Sequence, residues 1–420
     1  MKKIFFILSA LLLTTTVSSQ ALDGTWNGKL KVGGNSLTVV LNIDGNSCTL
    51  DSPDQGARGI AAELLTKTED SLSVRVPSIY ASYEGKLQND TLKGIFQQMG
   101  LRFPLTLTRG LHVVKRPQTP QPPFPYLTEE VTFSNESDGA VLSGTLTYPV
   151  GYTKEQRPTV VVMVSGSGLQ NRDEEIFEHK PFAVIADYLA RNGIATLRYD
   201  DRGFGKSTGD VATATTKTFK SDAEAALRFL RDSKKFGKAG IIGHSEGGSV
   251  AFMLAGEKKA DFIVTLAAPG VRGDSIIIQQ NYDLAKHMGQ PVTYEQCAAL
   301  MPNIRQQMAQ NAWYMWFLDY DPAADIARIA CPTLILNGEK DLQVDAAINL
   351  QAIRSKMSKS PIGSTQHQKT DDFQIISYPN LNHLFQNSTT GLPSEYGQIE
   401  ETFSEKVMKD MVEWITKHIE

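Results

Sequence analysis

Two hydrophobic rhythms divide the chain. Across residues 22–109, apolar and polar positions alternate in short runs at 26–32, 37–43, 71–76, 92–96 and 103–107. Period-two alternation turns one face of a strand to a core and the other to water. Gly33-Gly34, Asp44-Gly45-Asn46 and Gln88-Asn89-Asp90 punctuate these runs as turns. The pattern predicts an antiparallel meander, a small barrel or sandwich with a filled core rather than a ligand cavity. No cluster of residues suited to catalysis falls in this region.

From residue 127 onward the rhythm changes. Runs at 159–164, 194–199, 239–242, 262–267, 333–336 and 373–378 read as strands, and the fully apolar 159–164 reads as a strand of a buried sheet. Helical spacing separates several of them: 182–192 ending at Gly193, a helix to about 232 opened by a capping box at Ser221 and Glu224, and 404–418 burying Val407, Met411, Trp414 and Ile415. A leading hairpin is predicted at 131–133 and 142–148. Repeated strand–helix alternation means a doubly wound, mostly parallel sheet, which places its sites at the carboxyl ends of the strands. Residues 110–126 join the two regions. Pro117, Pro120, Pro122, Pro123 and Pro125 make this linker extended and stiff. Residues 272–328 interrupt the alternation with helical patterns and an aromatic cluster of Trp313, Tyr314, Trp316, Phe317 and Tyr320. That length and aromatic density predict a helical cap over the site, with Trp313, Trp316 and Phe317 as substrate contacts. Residues 355–372 form a polar insertion expected on the surface.

One stretch joins the two periodicities directly. The apolar strand 239–242 runs into Gly243-His244-Ser245-Glu246-Gly247, and a helical pattern follows. This is G-x-S-x-G between strand and helix, a turn that exposes a strained serine at the strand's carboxyl end. A bare G-x-S-x-G arises by chance in roughly one chain in seven of this length. A second copy, Gly205-Lys206-Ser207-Thr208-Gly209, lacks the apolar strand directly before it. Context therefore selects Ser245 as nucleophile.

A serine hydroxyl needs a base, and the base needs an orienting carboxylate. Of the seven histidines, His383 follows the last strand in Tyr378-Pro-Asn-Leu-Asn-His383. His244 adjoins the nucleophile, His112 is in the linker, His287 in the cap, His367 in the polar insertion and His418 in the last helix. His179, past the Gly-rich loop, is a candidate cap or rim contact. Asp341, in Asn337-Gly-Glu-Lys-Asp341, follows a buried strand through a glycine turn. Asp345, Glu339 and the Asp371-Asp372 pair are weaker alternatives. The order Ser245, Asp341, His383 is that of an α/β-hydrolase triad. Developing oxyanion charge needs N–H donors. The N–H of Glu246, next after the nucleophile, is one. The loop Ser165-Gly-Ser-Gly168 offers the other, assigned to Ser167.

The region from 127 to the end resembles the α/β-hydrolase superfamily. The marks are Ser165-Gly-Ser-Gly168, Asp201-Arg-Gly-Phe-Gly-Lys-Ser207, Gly-His-Ser245-Glu-Gly-Gly, Asn-Gly-Glu-Lys-Asp341 and Asn382-His383. The chain is similar to bacterial secreted serine esterases that carry a small β domain ahead of the hydrolase domain. Ser165 departs from relatives, which commonly have His there. The resemblance implies a serine carboxylesterase acting on short-chain acyl esters through an acyl-enzyme, without metal or other cofactor, and a structural role for the loop at Ser207. A serine peptidase, an acyl thioesterase, or a carbohydrate- or lipid-binding protein acting through the β domain are the alternatives.

Composition adds the compartment. Residues 1–20 read as a signal peptide: Lys2-Lys3, an apolar run at 4–13, then small residues. The apolar run is too short for a comfortable membrane span. A secreted or periplasmic protein is expected, and with it a small-molecule or glycan-linked acyl ester substrate. Formal charge is −4, with no basic patch to hold nucleic acid. Three cysteines, Cys48, Cys297 and Cys331, cannot all pair and have no metal-ligand spacing.

Overall fold

The computed structural model describes residues 22–32, 35–55, 57–110, 115–362 and 372–419. The signal-peptide reading of residues 1–20, together with His112, His367 and Asp371, lies outside them. The chain divides into two compact units, Met1–Val113 and Val114–Glu420.

The first unit is a closed antiparallel barrel of eight strands in sequence order. They are β1 (Gly24–Val32), β2 (Asn35–Asp44), β3 (Ser47–Ser52), β4 (Ala57–Lys67), β5 (Ser71–Val76), β6 (Ala81–Gln88), β7 (Thr91–Gln98) and β8 (Leu101–Arg109). Closure pairs Trp26 with Arg109 and Asn27 with Thr108. Alternation works as expected on β5, where Leu72, Val74 and Val76 point inward. Trp26, Tyr83, Leu41, Leu92 and Phe96 are buried in the barrel's core. The two ring heteroatoms that this burial takes from water find backbone acceptors. Trp26 Nε1–H donates to the Leu22 carbonyl at 2.8 Å and Tyr83 Oη–H to that of Leu92 at 2.9 Å. Strands β3, β4 and β6 lie outside the predicted runs; β4, Ala57–Lys67, has no fully buried position and is register-shifted against both neighbours.

The second unit is built on an eight-stranded sheet. Its strands are β9 (Thr128–Asn135), β10 (Ala140–Thr147), β11 (Val160–Val164), β12 (Ala195–Tyr199), β13 (Ala239–His244), β14 (Ile263–Leu266), β15 (Thr333–Gly338) and β16 (Phe373–Tyr378). Their spatial order is β16-β15-β14-β13-β11-β12-β10-β9. The pairs β9–β10 and β10–β12 are antiparallel, and the remainder are parallel. Strand β11 shows why these runs are apolar throughout. Val160, Val162 and Val164 pack into one core layer, while Val161 and Met163 pack into the other.

Helices α1 (Pro181–Arg191), α2 (Thr216–Asp232) and α3 (Glu246–Gly256) follow β11, β12 and β13. Between β14 and β15 come α4 (Gly273–His287), α5 (Tyr294–Ala298), α6 (Met301–Gln307), α7 (Ala312–Asp319) and α8 (Ala323–Ile326). Then follow α9 (Ala346–Met357), α10 (Pro393–Tyr396) and α11 (Glu405–Ile419). Residues of α1 and α11 cover one face of the sheet, and residues of α2, α3 and α9 the other.

Two local expectations change. Helix α2 opens earlier than Ser221. Its capping box is Thr215 with Thr218, and Ser221 lies within the helix, its hydroxyl bonded to Asn135. The proline-rich stretch after residue 114 is tied down within the second unit. The Arg116 guanidinium donates to the carbonyls of Phe177, Gly397 and Ile399. The Gln118 side chain bonds both Thr402 and Phe403. All three thiols are free. Among the described residues no helix is long and apolar enough to cross a membrane.

Candidate active site

The parallel strands deliver the predicted residues to one edge of the sheet. Ser245 stands between β13 and α3 with φ 52° and ψ −115°. A non-glycine residue there costs about 1–3 kcal/mol of backbone strain. Neighbouring glycines make the turn possible. A Cβ on Gly243 would lie 2.1 Å from the Gly247 carbonyl oxygen. One on Gly247 would lie 2.1 Å from the Val164 oxygen, and one on Gly248 would lie 2.4 Å from Ala268 Cβ. The Ser245 N–H is anchored on the Leu266 carbonyl at 2.8 Å.

Asp341 follows β15 and is 2% exposed. One carboxylate oxygen accepts the backbone N–H groups of Gln343 and Val344, both at 2.8 Å. The other accepts His383 Nδ1–H at 2.7 Å. That bond fixes the imidazole so that Nε2 is the free base. The loop carrying His383 is held by Asn382, whose side-chain oxygen accepts from the N–H groups of Leu384 and Gln386. Ser245 and His383 line one cavity of about 230 Å³, together with Ser167, Trp313 and Phe317.

The loop after β11 approaches Ser245 closely. A Cβ on Gly166 would sit 3.3 Å from Ser245 Cβ and from Glu174 Oε1. The Gly166 N–H donates to Glu174 Oε1 at 2.7 Å. This donor is therefore spent, and Ser167 is the next N–H along the loop. Glu246 has two separate parts. Its backbone opens α3, while its buried carboxylate accepts Thr216 Oγ1–H at 2.6 Å and Trp313 Nε1–H at 2.8 Å. Burial raises the Glu246 carboxyl above its ordinary range, against the pull of the Thr216 and Trp313 hydrogen bonds.

Of the three aromatic residues expected at the substrate, Trp313 and Phe317 line the cavity and stack with ring centroids 5.7 Å apart. Trp316 is placed differently. It stacks on Tyr320 and packs against the sheet's hydrophobic core, because one turn of α7 cannot turn all its rings to the same side. His179 is a buried structural residue rather than a rim contact. Its nitrogens face Thr402 Oγ1 and the Tyr396 carbonyl, both at 2.9 Å. Burial, helped by the charge of Arg116, pushes its pKa down to about 4. Asp345 is the N-cap of α9, accepting the Ile348 N–H at 2.8 Å.

The sequence reading missed Glu174 and named His244 only as a neighbour of the nucleophile. Glu174 is 3% exposed and has φ 51°. The same Oε1 that holds Gly166 accepts His244 Nδ1–H at 2.8 Å. His244 Nε2 faces the His383 carbonyl at 3.0 Å, and the two imidazole centroids are 4.8 Å apart. Both His244 nitrogens thus face acceptor oxygens, which a doubly protonated ring satisfies. Burial opposes that charge, but the Glu174 carboxylate and the His383 carbonyl outweigh it and raise the His244 pKa. Glu174 thereby ties the Gly166 loop to His244, which bonds the backbone of the residue that Asp341 orients. Glu174 sits in an Asp-Glu-Glu run that reads as a solvated face, so only its position in the fold reveals it.

A sheet of this order, with a serine elbow after β13, an acid after β15 and a histidine after β16, has few counterparts among architectures. The chain's second unit has the α/β-hydrolase fold. The family profile described as serine aminopeptidase, S33, matches residues 178–322, which include Ser245. Esterase EstD of Thermotoga maritima is 25% identical over 273 residues, 61% of this chain. The match spans 62% of that relative's length. Among solved structures, a hypothetical protein of Pseudomonas aeruginosa superposes with TM-score 0.50 at 15% identity, covering 74% of this chain and 100% of its own. The Pyrococcus furiosus esterase Pf2001 gives TM-score 0.48 at 16% identity, covering 74% and 100%. In this α/β-hydrolase fold the helices α4 and α7 supply Ile276, Trp313 and Phe317 to the wall of the cavity at Ser245.

Proposed function

We propose that the chain is a serine carboxylesterase that hydrolyses short-chain acyl esters. The observation that carries this is the Asp341–His383 bond at 2.7 Å beside a cavity that also holds Ser245 on its strained turn. Ser245 Oγ attacks the ester carbonyl while His383 Nε2 takes its proton. Asp341 holds the opposite edge of the ring and stabilises the imidazolium. The carbonyl oxygen becomes an oxyanion received by the N–H groups of Ser167 and Glu246. The C–O bond breaks, the alcohol leaves with the proton from His383, and the acyl group stays on Ser245. Water, deprotonated by His383, then releases the acid. The small volume and the Trp313–Phe317 wall suit a short or compact acyl group, and the name of the Thermotoga relative favours an ester. The signal-like residues 1–20 support a secreted or periplasmic location.

The description of the matching family supplies the competing substrate, a peptide. Hydrolysis of p-nitrophenyl esters from acetate to decanoate, beside a panel of amino-acyl p-nitroanilides, separates the two. The expected outcome is turnover of the short esters, lowered at least about 10⁴-fold in Ser245→Ala. Faster cleavage of the anilides would replace ester by peptide. No turnover of either by folded protein would refute the hydrolase assignment.

A further inference from the structure

The two ends of the barrel carry different chemistry. Its strands run up and down in sequence order, so the β5–β6 and β7–β8 connections share one end. The β2–β3, β4–β5 and β6–β7 connections share the other, where the chain also enters and leaves. At that other end the tight turns follow backbone preference. Asn89-Asp90, at φ 46° and 59°, joins Gln88 to Thr91, and Gly45-Asn46, with Gly45 at φ 56°, joins Asp44 to Ser47. Asparagine, aspartate and glycine are what two-residue hairpin turns favour.

At the first end the same kind of turn departs from that preference. Met99-Gly100 joins Gln98 to Leu101, and Met99 holds φ 49°. Tyr80, in the neighbouring connection, holds φ 51°, and its carbonyl accepts the Met99 N–H at 3.5 Å. Bulky side chains are disfavoured in this left-handed region, where asparagine can bond its own backbone. Neither residue gains packing in exchange. At 82% each, they are the most exposed large apolar side chains among the described residues. Leu101 is 63% exposed beside Met99, and Ile79 and Phe103 of the same end are only partly buried against the barrel's core. The turn gives up local stability for two large side chains that the chain itself does not use.

Charge indicates the partner. Lys31, Arg58 and Arg102 are exposed, each one position from a strand end on this side of the barrel. The carboxylates of the same end, Asp51 and Asp54, have donors within the barrel. Asp54 accepts the Thr38 N–H at 2.6 Å and Lys29 Nζ–H at 3.3 Å, and Asp51 accepts the Gly59 N–H at 2.6 Å. The opposite end instead sets Asp23, Asp44, Glu69, Asp70 and Asp90 at its edge. An apolar tip with a tyrosine and flanking cations is complementary to a bilayer with anionic head groups. The apolar groups suit the acyl boundary, the tyrosine suits the interface, and the cations suit the phosphates.

We infer that this end of the barrel docks on a lipid bilayer with anionic head groups. Tyr80, Met99 and Leu101 enter the interface, and Lys31, Arg58 and Arg102 meet the phosphates. The docking is peripheral and independent of the esterase reading of the second unit.

Sedimentation of the full chain with vesicles tests it. The vesicles are phosphatidylcholine alone, or phosphatidylcholine with about one-third phosphatidylglycerol. Met99→Asn and Tyr80→Asn place at each position a residue that tolerates positive φ, so both variants fold at least as stably as wild type, which urea unfolding checks. Wild type binds the mixed vesicles, and binds the pure ones at least about tenfold more weakly. Each asparagine variant loses about tenfold in affinity for the mixed vesicles. Arg102→Gln loses about fivefold. Absence of wild-type binding, equal binding to both vesicles, or binding retained by the Met99→Asn, Tyr80→Asn double variant would overturn the proposal. So would pelleting without vesicles that the double variant abolishes, which would make this end a contact between copies of the chain.

Discussion

The second unit contains the same five-residue pattern twice, and the two copies have opposite fates. Ser245 sits at φ 52° between a strand and a helix, and it lines the cavity that His383 also lines. Ser207 has both hydrogen-bonding roles of its hydroxyl filled by backbone. It donates to the Asp200 carbonyl at 2.7 Å and accepts the Ser143 N–H at 2.9 Å. The glycines differ in the same way. Gly243 and Gly247 are required because main chain passes 2.1 Å from where a Cβ would be, and neither has positive φ. Gly205 and Gly209 are required by φ of +55° and +122°, the conformations of a loop folding back on itself. One copy stores a strained serine on the wall of a cavity that His383 also lines. The other uses its serine to fasten a loop to β10. The pattern of letters does not separate them; what precedes and receives each serine does.

On the proposed mechanism, changes at the partners of Ser245 should act on rate, and changes at Ser207 on stability. Asp341→Asn reverses the hydrogen-bonding sense at His383 Nδ1 and should lower ester kcat by about 10⁴ with the fold retained, as read by steady-state kinetics beside circular dichroism. Glu174→Gln keeps an acceptor for Gly166 but removes the counter-ion of His244. Displacement of the loop and of His383 should lower kcat by about 10- to 100-fold, with KM little changed. An equal loss in KM and none in kcat would show that Glu174 serves binding instead. Ser207→Ala should leave kcat within twofold, since its hydroxyl does not reach the site. It should cost about 1–3 kcal/mol in denaturant unfolding, because a buried N–H and a carbonyl lose their partner.

The smallest effect concerns the two aspartates just ahead of the Ser207 copy. Asp200 receives Ser207, and the adjacent Asp201 receives Ser165 Oγ–H and the Gln170 N–H. Burial raises the Asp201 pKa to about 8, with Glu246 and Glu174 adding to it and its two hydrogen-bond donors opposing. The unfolded carboxyl ionises near 4. Between these values the native state holds a proton that the unfolded state has lost, so wild-type stability falls as pH rises from about 4 to about 8. Asp201→Asn should flatten that fall in urea titrations run at pH 5 and pH 8.5. An unchanged slope would place the ionisation elsewhere.

Much of the fold was legible because its signals are local. Period-two alternation marks the barrel, and Val160–Val164, buried on both faces, marks a parallel sheet without further information. The order of Ser245, Asp341 and His383 follows, because each comes in the turn or loop after a strand of the parallel sheet. What was not legible depends on packing between distant segments. Strand β4 holds too few large apolar residues to stand out. Ser221 and Glu224 imitate a capping box that Thr215 and Thr218 in fact provide. Trp316 belongs to an aromatic cluster by sequence but faces the core rather than the cavity. Glu174 and His244 are brought together across seventy positions, and neither has a neighbour in sequence that announces the pair.

The central claim is that context, and not pattern, makes Ser245 the nucleophile. A fluorophosphonate reacts with an activated serine and leaves a phosphonyl mark that peptide mass mapping can locate. The account predicts one mark per chain, on the peptide carrying Ser245, appearing in step with loss of ester hydrolysis and absent from Ser245→Ala. A mark on Ser207, or hydrolysis that persists when Ser245 is fully modified, would contradict it.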